Sequence, residues 1–274
     1  MRKLSLFIEQ AAKGLAPSDW ELRNKANIQR LYYIKDGTGS IIGKDGSEES
    51  FVAGKVYIFP SNLTYRFTTD RDDRIDHIYM DFYSTPPIVA PEPLVYDIQK
   101  DSAPERLIRA IDSILVGRRP EEGRHDGYRQ HDELPMLYGD MNAAEPGSMN
   151  EYMMLIYSMF SSLLAMLSYI RELPVSDDEV VNVSLEKIRA RFAEPLSVSR
   201  LAAEAGFEVN HFIRRFRKVM GTTPYSYLRD YRLSRAISLT ACGATLSEAA
   251  AKTGYENVSS LSRAISSKKK PNRR

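Results

Sequence analysis

Four cations and an apolar stripe share one short stretch near the end of the chain, HFIRRFRKVMGTTP, from His211 to Pro224. Phe212, Phe216 and Val219 recur at i, i+4 and i+7, the spacing that buries one face of a helix. The other faces carry the basic side chains, which are Arg214, Arg215, Arg217 and Lys218. A helix with a buried back and a basic front suits a polyanion, although a solvated helix face gives the same pattern.

The charge of the whole chain is divided unevenly between its two parts. Residues 184–274 hold 18 Lys and Arg against 7 Asp and Glu, whereas residues 1–183 hold 20 against 29. An acidic part is therefore joined to a basic one of net charge +11. This asymmetry favours a nucleic acid or an anionic membrane as the partner of the C-terminal part.

The basic part also contains an internal repeat. LAAEAGFE, Leu201 to Glu208, returns 48 residues later as AAAKTGYE, Ala249 to Glu256. Each copy predicts a short alanine-rich helix that ends at a glycine, Gly206 or Gly254, and is followed by a second helix. Helix, tight turn and helix is the helix-turn-helix pattern, and two copies in a basic segment are stronger evidence than one.

A continuous helix is predicted between the two copies, over TPYSYLRDYRLSRAISLTAC. Pro224 suits the first helical position, and an apolar stripe follows at Tyr227, Leu228, Tyr231, Ala236 and Leu239. Such a rod is about 28 Å long, so it could place two recognition helices in successive major grooves of DNA. Thr245 to Glu248, TLSE, predicts a capping box at the start of the second unit.

These residues together resemble the AraC/XylS transcription regulators over about 90 C-terminal residues. The resemblance implies that two helix-turn-helix units in one chain bind DNA, with Phe212, Phe216, Leu261 and Ile265 as core. The positions that it implies for base contacts are Asn210, Ile213 and Arg214 in the first unit and Val258, Ser259, Ser262 and Arg263 in the second. Arg215, Arg217 and Lys218 are left for phosphates or solvent. The sequence departs from the family at Ile265, where phenylalanine is usual, and in its closing residues SSKKKPNRR.

The chemistry of these side chains is compatible with base reading. Asn can bond adenine and Arg can bond guanine in the major groove, whereas Ile213 and Val258 can contact a thymine methyl. Alternative roles are a surface salt bridge for Arg214 and Arg263 and a helix N-cap for Asn210.

The N-terminal part predicts a different architecture. From Ile28 to Ser84, short Tyr-, Ile-, Val- and Phe-rich segments alternate with turn signals, which is typical of a β-sandwich or small barrel. RIDHIYMDF places Ile78, Met80 and Phe82 on one face and His77, Tyr79 and Asp81 on the other. This part resembles the family's cupin-like effector domain more loosely. The expected fold is therefore an α+β multidomain chain, with a cupin-like β-barrel, helices after it, and an all-α tandem helix-turn-helix domain.

The resemblance implies a small-molecule effector, such as a sugar or an aromatic compound, in the barrel. The candidate pocket residues are Tyr32, Tyr57, Tyr65, Arg66, His77 and Tyr79, against the alternative that they are ordinary core and surface. The four histidines, His77, His125, His131 and His211, do not form the cluster that a cupin metal site needs, so we expect no metal and no cofactor. A metal-dependent cupin-type enzyme with a DNA-binding tail remains the alternative to a non-enzymatic regulator.

The expected organisation is an effector domain over residues 1–100, a helical dimerisation region over 101–173, a linker over 174–180 and a DNA-binding domain over 181–274. The uncharged segment Met153 to Ile170 could suggest a membrane anchor, but it has four serines and no one-sided positive flank. We expect its helix, from Met149 to Leu173, to form a homodimer through Tyr157, Phe160 and Leu164. The single Cys242 and the polar N-terminus favour the cytoplasm. The expected macromolecular partners are double-stranded DNA and RNA polymerase.

Overall fold

The structure, a computed structural model, describes residues 4–17, 21–23, 28–115, 117–118, 151–241 and 243–269. The strands are β1 (Ser5–Leu15), β2 (Glu21–Arg23), β3 (Gln29–Asp36), β4 (Gly39–Ile42), β5 (Glu48–Ser50), β6 (Lys55–Phe59), β7 (Arg66–Thr69), β8 (Asp76–Thr85), β9 (Leu94–Asp97) and β10 (Gly117–Arg118). The helices are α1 (Ala103–Ile114), α2 (Glu151–Ile170), α3 (Glu179–Arg191), α4 (Val198–Glu204), α5 (Val209–Met220), α6 (Pro224–Ala241), α7 (Leu246–Lys252) and α8 (Val258–Lys269). The predicted division into a strand-rich N-terminal part and a helical C-terminal part is confirmed.

The N-terminal strands form two sheets. Sheet A has the order β10-β1-β8-β3-β6-β9, and sheet B has the order β2-β7-β4-β5. Aromatic side chains from both sheets pack between them, including Tyr32 from β3 and Phe67 from β7. In the described residues the two sheets are not joined into one closed barrel, so the predicted cupin-like sandwich or small barrel takes the form of two facing sheets.

The alternation predicted for RIDHIYMDF is present in β8, which is buried on both faces. Ile78, Met80 and Phe82 pack with α1 and α2 on one side of sheet A, and Tyr79 packs between the sheets on the other. Helices cover one side of sheet A while sheet B covers part of the other, so both faces of the strand are apolar.

Helix α2 lies within this core, and the expected dimer contacts on it were wrong. Tyr157, Phe160 and Leu164 are 6%, 0% and 2% exposed, because they pack against sheet A of their own chain. The Tyr157 hydroxyl donates to the Leu6 carbonyl of β1. The uncharged segment is therefore a core helix of this domain.

None of the helices in the described ranges has the length and hydrophobicity that crossing a bilayer requires.

The segment interpreted as a linker, residues 174–180, packs on the end of the N-terminal domain. The Val89 amide donates to the Pro174 carbonyl at 2.9 Å, and the Ser176 amide donates to the Pro87 carbonyl at 2.9 Å. Asp178 then caps α3 by accepting from the Val181 amide at 3.1 Å. The segment between the two domains is thus hydrogen bonded to the N-terminal domain and to the start of α3.

The C-terminal part consists of α3 to α8. The pairs α4–α5 and α7–α8 are the two predicted helix-turn-helix units, and α6 joins them as one helix of 18 residues. The predicted stripe on α6 is buried, with Tyr227, Tyr231 and Ala236 all 0% exposed. We call α6 the connecting helix.

A buried ion pair lies on the face of sheet A that looks toward sheet B. Arg30 of β3 donates through Nε and Nη2 to the carboxylate of Asp81 in β8, and Gln10 of β1 donates to the same carboxylate at 2.6 Å. The Arg30 and Asp81 side chains are 8% and 2% exposed. Burial is the largest single effect and would lower the pKa of Arg30, but Asp81 together with Tyr32 and Tyr79 outweighs it, so this pKa lies well above its ordinary value.

Removing one partner of this pair should destabilise the protein more than removing both. Arg30→Leu leaves the Asp81 carboxylate buried without its cation, and we expect a loss of about 3–5 kcal/mol in the free energy of unfolding. The double variant with Asp81→Leu should recover most of that loss, because two apolar groups need no counter-charge. Urea unfolding of the full chain measures both values; a double variant as unstable as the single one would contradict the expectation.

Candidate nucleic-acid interface

The first helix-turn-helix unit is defined by two side-chain caps and a glycine turn. Ser197 caps α4 by accepting from the Arg200 amide at 3.1 Å, and Gly206 takes the turn at φ +75°. Glu208 caps α5 by accepting from the His211 amide at 3.0 Å. Because Glu208 holds the cap position, the alternative role of Asn210 as N-cap is wrong.

Helix α5 has one buried face and one exposed ridge. Phe212 and Phe216 are both 0% exposed, as the apolar spacing predicts. Asn210, Arg214 and Lys218 are exposed and recur every four residues, so they form one ridge along the helix. Ile213 is half-buried beside this ridge. The arrangement leaves an amide, a guanidinium and an ammonium on the side away from the core.

Arg215 differs from its neighbours because it has partners within the chain. Its Nε donates to Asp178 at 2.8 Å, and its guanidinium carbon lies 5.4 Å from the centre of the Phe207 ring. Asp178 also caps α3, so Arg215 connects α5 to the start of α3. This contact orients α5, and Arg215 is less available to DNA than Arg214 or Lys218.

The second unit repeats this design. Thr245 and Glu248 form the predicted capping box of α7, and Gly254 takes the turn at φ +74°. Asn257 caps α8 by accepting from the Ser260 amide at 2.9 Å. The exposed positions of α8 include the predicted base contacts, which are Val258, Ser259, Ser262 and Arg263.

The packing of α8 is retained despite its departure from the usual family pattern. Leu261 is 0% exposed, and Ile265 is half-buried against the same core. Arg263 lies along its own helix and donates to the Ser259 carbonyl at 3.3 Å. Residues 270–274 of the unusual end lie outside the described residues.

The joint between the two units is made by the connecting helix and the turn of the second unit. Arg232 of α6 donates to the Phe192 and Glu194 carbonyls at 2.6 Å each, in the loop between α3 and α4. The turn glycine Gly254 lies against the same loop, since a Cβ placed on it would be 2.8 Å from the Ala193 carbonyl oxygen. One loop thus receives contacts from the helix that joins the units and from the second unit.

A cluster of charges joins the first unit to α3. Glu204 of α4 accepts from Lys187 at 3.0 Å, from Arg191 at 3.2 Å and from Arg200 at 3.0 Å. These hydrogen bonds lower the pKa of Glu204 to about 2. Sequence reasoning missed this cluster, and its one signal was the Arg200–Glu204 spacing of four residues on a helix.

The predicted effector residues are placed unevenly around the space between the sheets. Tyr32, Tyr57, His77 and Tyr79 are buried there, and the Tyr32 ring lies 5.2 Å from the His77 ring and 6.2 Å from the Tyr79 ring. Tyr65 is half-buried with its ring 5.3 Å from that of Phe59, and burial raises its pKa to about 12. Four of the six predicted residues therefore meet in one aromatic interior, with Tyr65 at its side.

Arg66 is the exception, because neighbouring residues of a strand alternate between faces. Phe67 is 0% exposed in the interior, so Arg66 lies on the opposite face of β7. The aromatic residues that sequence reasoning missed in the interior are Phe51, Phe59 and Phe67. The alternation of KVYIF contained a signal for Phe59, since Tyr57 and Phe59 share one face.

Among the residues that the structure describes, no three His, Cys, Asp or Glu side chains gather as metal ligands would. His125 and His131 lie outside those residues.

Comparison with known proteins agrees with the geometry of the C-terminal units. Residues 201–269 match the family described as the helix-turn-helix domain. These residues span both units and the connecting helix. The C-terminal region is therefore a helix-turn-helix domain of the AraC type, and the predicted resemblance is confirmed for this domain.

Individual proteins are similar to this chain either in the sequence of one part or in the fold of nearly the whole chain. The chain is 30% identical over 94 residues to YbfI, an uncharacterized HTH-type transcriptional regulator of Bacillus subtilis (strain 168), and the match spans 34% of each protein. A structure of ToxT from Vibrio cholerae is similar over 96% of this chain and 94% of that one, with a TM-score of 0.55 and 11% identity. A second ToxT structure gives a TM-score of 0.54 and 11% identity, over 96% of this chain and 92% of that one. The structural similarity therefore covers both domains and shows a shared fold, in which a domain of β-sheets is followed by a helical domain.

The two turn glycines provide a matched test of the joint between the units. Gly206 and Gly254 have φ of +75° and +74°, so alanine at either position should cost about 1–2 kcal/mol in backbone strain. A Cβ at Gly206 meets nothing within 4 Å, whereas a Cβ at Gly254 would be 2.8 Å from the Ala193 carbonyl oxygen. Gly254→Ala should therefore lower the thermal midpoint more than Gly206→Ala, as measured by circular dichroism. Equal losses in the two variants would show that the Ala193 contact does not constrain the second unit.

Proposed function

We propose that this protein is a sequence-specific, non-enzymatic transcription regulator that binds double-stranded DNA in the cytoplasm through α5 and α8. The observation that supports this most directly is the pair of capped helix-turn-helix units on one connecting helix. The second helix of each unit buries its apolar residues and exposes the polar residues that could enter a major groove. RNA polymerase is the partner through which a regulator bound at a promoter would act.

The exposed ridge of α5 gives its side chains different roles in this proposal. Arg214 and Asn210 are the base-reading residues, because a guanidinium can make two hydrogen bonds to guanine and an amide can make two to adenine. Ile213 supplies apolar contact, and Lys218 neutralises a phosphate. Arg215 positions α5 through Asp178. In the second unit, Val258, Ser259, Ser262 and Arg263 take the corresponding positions on α8.

The division between base and phosphate contacts can be tested on DNA obtained by binding-site selection with the purified full chain. Arg214→Ala should cost about 1–3 kcal/mol at the selected site and relax preference at one base pair. Lys218→Ala, on the same ridge, should weaken selected and random DNA alike. Competition binding measures both effects, and an equal loss on both DNAs for Arg214→Ala would contradict the base-reading role.

We also propose that a small-molecule effector binds between the two sheets. The proposal is supported by the aromatic interior around Tyr32, Tyr57 and Tyr79, with His77 beside them, since such side chains suit the apolar faces of a sugar or an aromatic compound. Burial raises the pKa of the Tyr57 hydroxyl above its ordinary value. The Tyr57 hydroxyl already accepts from the Val52 amide at 2.9 Å.

A homodimer through α2 fits a face other than the one first expected. The exposed side of α2 carries residues spaced by three and four, which are Leu155, Ser158, Ser162, Ala165 and Tyr169. This spacing is the seam of a two-helix coiled coil, and the small residues at its middle allow close approach. Leu155 and Tyr169 are 46% and 94% exposed. We propose that a second copy of the chain covers this face.

The two sides of α2 should respond differently to charge. Tyr169→Glu together with Ala165→Glu should give a folded monomer, because glutamates would oppose each other across the seam. Tyr157→Glu should instead destabilise the fold, because Tyr157 is 6% exposed in the core of its own chain. Analytical ultracentrifugation and circular dichroism separate the two results. A wild-type chain that stays monomeric at tens of micromolar, roughly the range of weak interfaces, would contradict the dimer.

A further inference from the structure

One face of sheet A is shared by the N-terminal interior and the DNA-binding domain. Strand pairing places Tyr32 beside Tyr79 and Arg30 beside Asp81, and β1 places Phe7 beside Tyr83. Tyr79, Asp81 and Tyr83 alternate along β8, so they lie on one face. That face has three zones in sequence: the aromatic interior under sheet B, the buried Arg30–Asp81 pair, and an aromatic pair that faces the helices.

A bulge in β1 brings Phe7 onto this face. Ile8 pairs with Phe82, but the next paired residue is Gln10 opposite Asp81, so Glu9 is the extra residue of a β-bulge. In a regular strand, residues three apart, such as Phe7 and Gln10, would lie on opposite faces, and the extra residue returns them to one face. With it, Phe7 lies beside Tyr83 and Gln10 beside Asp81.

The aromatic pair is inserted into the core of the first helix-turn-helix unit. Phe7 and Tyr83 are 0% and 3% exposed, and they share a cluster with Phe212 and Phe216 of α5. On the connecting helix, the Tyr231 ring lies 5.5 Å from both the Phe7 and the Tyr83 rings. Two buried residues of the N-terminal domain, with the half-buried Ile28 packed against the same cluster, thus complete a core whose other members belong to the DNA-binding domain.

A cation closes this contact from the connecting helix. The guanidinium carbon of Arg235 lies 5.1 Å from the centre of the Phe7 ring and 5.5 Å from that of Phe192. It is therefore in contact with one aromatic ring from each domain, at distances typical of cation–π interactions. We call Phe7, Tyr83, Tyr231 and Arg235 the clamp.

Helix α3 attaches to the same strand ends. Arg189 donates to the Ser5 carbonyl of β1 at 3.2 Å and to the Thr85 hydroxyl of β8 at 3.0 Å. The Tyr83 hydroxyl lies 3.4 Å from the Ser234 hydroxyl of α6. The ends of β1 and β8 are therefore joined to α3 and α6 by polar as well as aromatic contacts.

We propose that the clamp couples the interior between the sheets to the connecting helix, so that a change in the packing around Tyr79 alters the placement of both helix-turn-helix units. This regulation rests on the proposed function, in which an effector binds that interior and the units bind DNA. Tyr79 and Tyr83 are four residues apart on one strand, a distance of about 13 Å. The strand between them is buried on both faces, so neighbouring side chains leave little room for a local change to be absorbed.

Coupling of this kind is reciprocal. If a change at Tyr79 alters the units, binding of DNA to the units must alter the interior, even though DNA does not reach it. A domain contact that serves stability alone predicts no such response. The response of β8 to DNA binding therefore distinguishes the two cases, whereas a contribution of the clamp to stability does not.

The first experiment uses amide hydrogen exchange on the full chain without DNA. Arg235→Ala removes the clamp cation, and Arg229→Ala is the matched control, because Arg229 is 56% exposed on the same helix and pairs with Asp230 next to it. Arg235→Ala should speed exchange about three- to tenfold in α6 and also in β8 at His77 to Tyr79, whereas Arg229→Ala should leave β8 unchanged. Arg235→Lys keeps the charge and should fall between them. Faster exchange confined to α6 would overturn the proposal.

The second experiment adds duplex DNA from the binding-site selection to the same proteins. In the wild type, bound DNA should change exchange at His77 to Tyr79 about threefold or more, and Arg235→Ala should abolish that change while still binding DNA. DNA that binds without any change in β8 would overturn the coupling and leave the proposed function standing. If no DNA is selected, the proposed function fails, and the first experiment alone decides whether the clamp transmits to β8.

Discussion

The burial of β8 on both faces is the constraint on which the rest of the structure depends. Helices α1 and α2 cover one face, while sheet B and then the DNA-binding domain cover the other. A strand buried in this way cannot shift its register by one residue, since the shift would turn Asp81 away from Arg30 and into the apolar side. The ion pair therefore sets the register that brings Tyr79 into the interior and Tyr83 into the clamp.

The relative placement of the two helix-turn-helix units depends on a second, smaller set of contacts. Arg232 donates to two carbonyls of the α3–α4 loop, and Gly254 lies against the carbonyl between them. Because these partners are backbone atoms, the joint has little freedom to adapt to a bulkier side chain. The burial of Arg232 lowers its pKa from the ordinary value, yet that pKa starts so high that the guanidinium remains charged.

Local sequence patterns predicted the secondary-structure elements well, but they could not predict contacts between residues far apart in the chain. The apolar stripe of α5, the Thr245–Glu248 capping box and the repeated glycine turns depend on neighbours within a few residues, so the sequence was sufficient. The dimer contacts on α2 were wrong because an apolar helix shows that it must be covered, without showing by what. Arg66 was placed among the pocket residues because strand parity is unclear in a short strand, and the clamp depends on a bulge at Glu9 that no turn residue marks.

The distribution of charge shows why net charge alone overstates a DNA-binding surface. The C-terminal part has an excess of eleven positive charges, but many of its cations serve the fold. Lys187, Arg191 and Arg200 surround Glu204, and other cations make internal contacts, which are Arg189, Arg215, Arg232 and Arg235. Guanidinium groups suit these roles because they donate in several directions and stack on rings while staying charged. Fewer cations are therefore available to contact DNA than the composition suggests. Arg214 and Lys218, exposed on the ridge of α5, are among those that remain available.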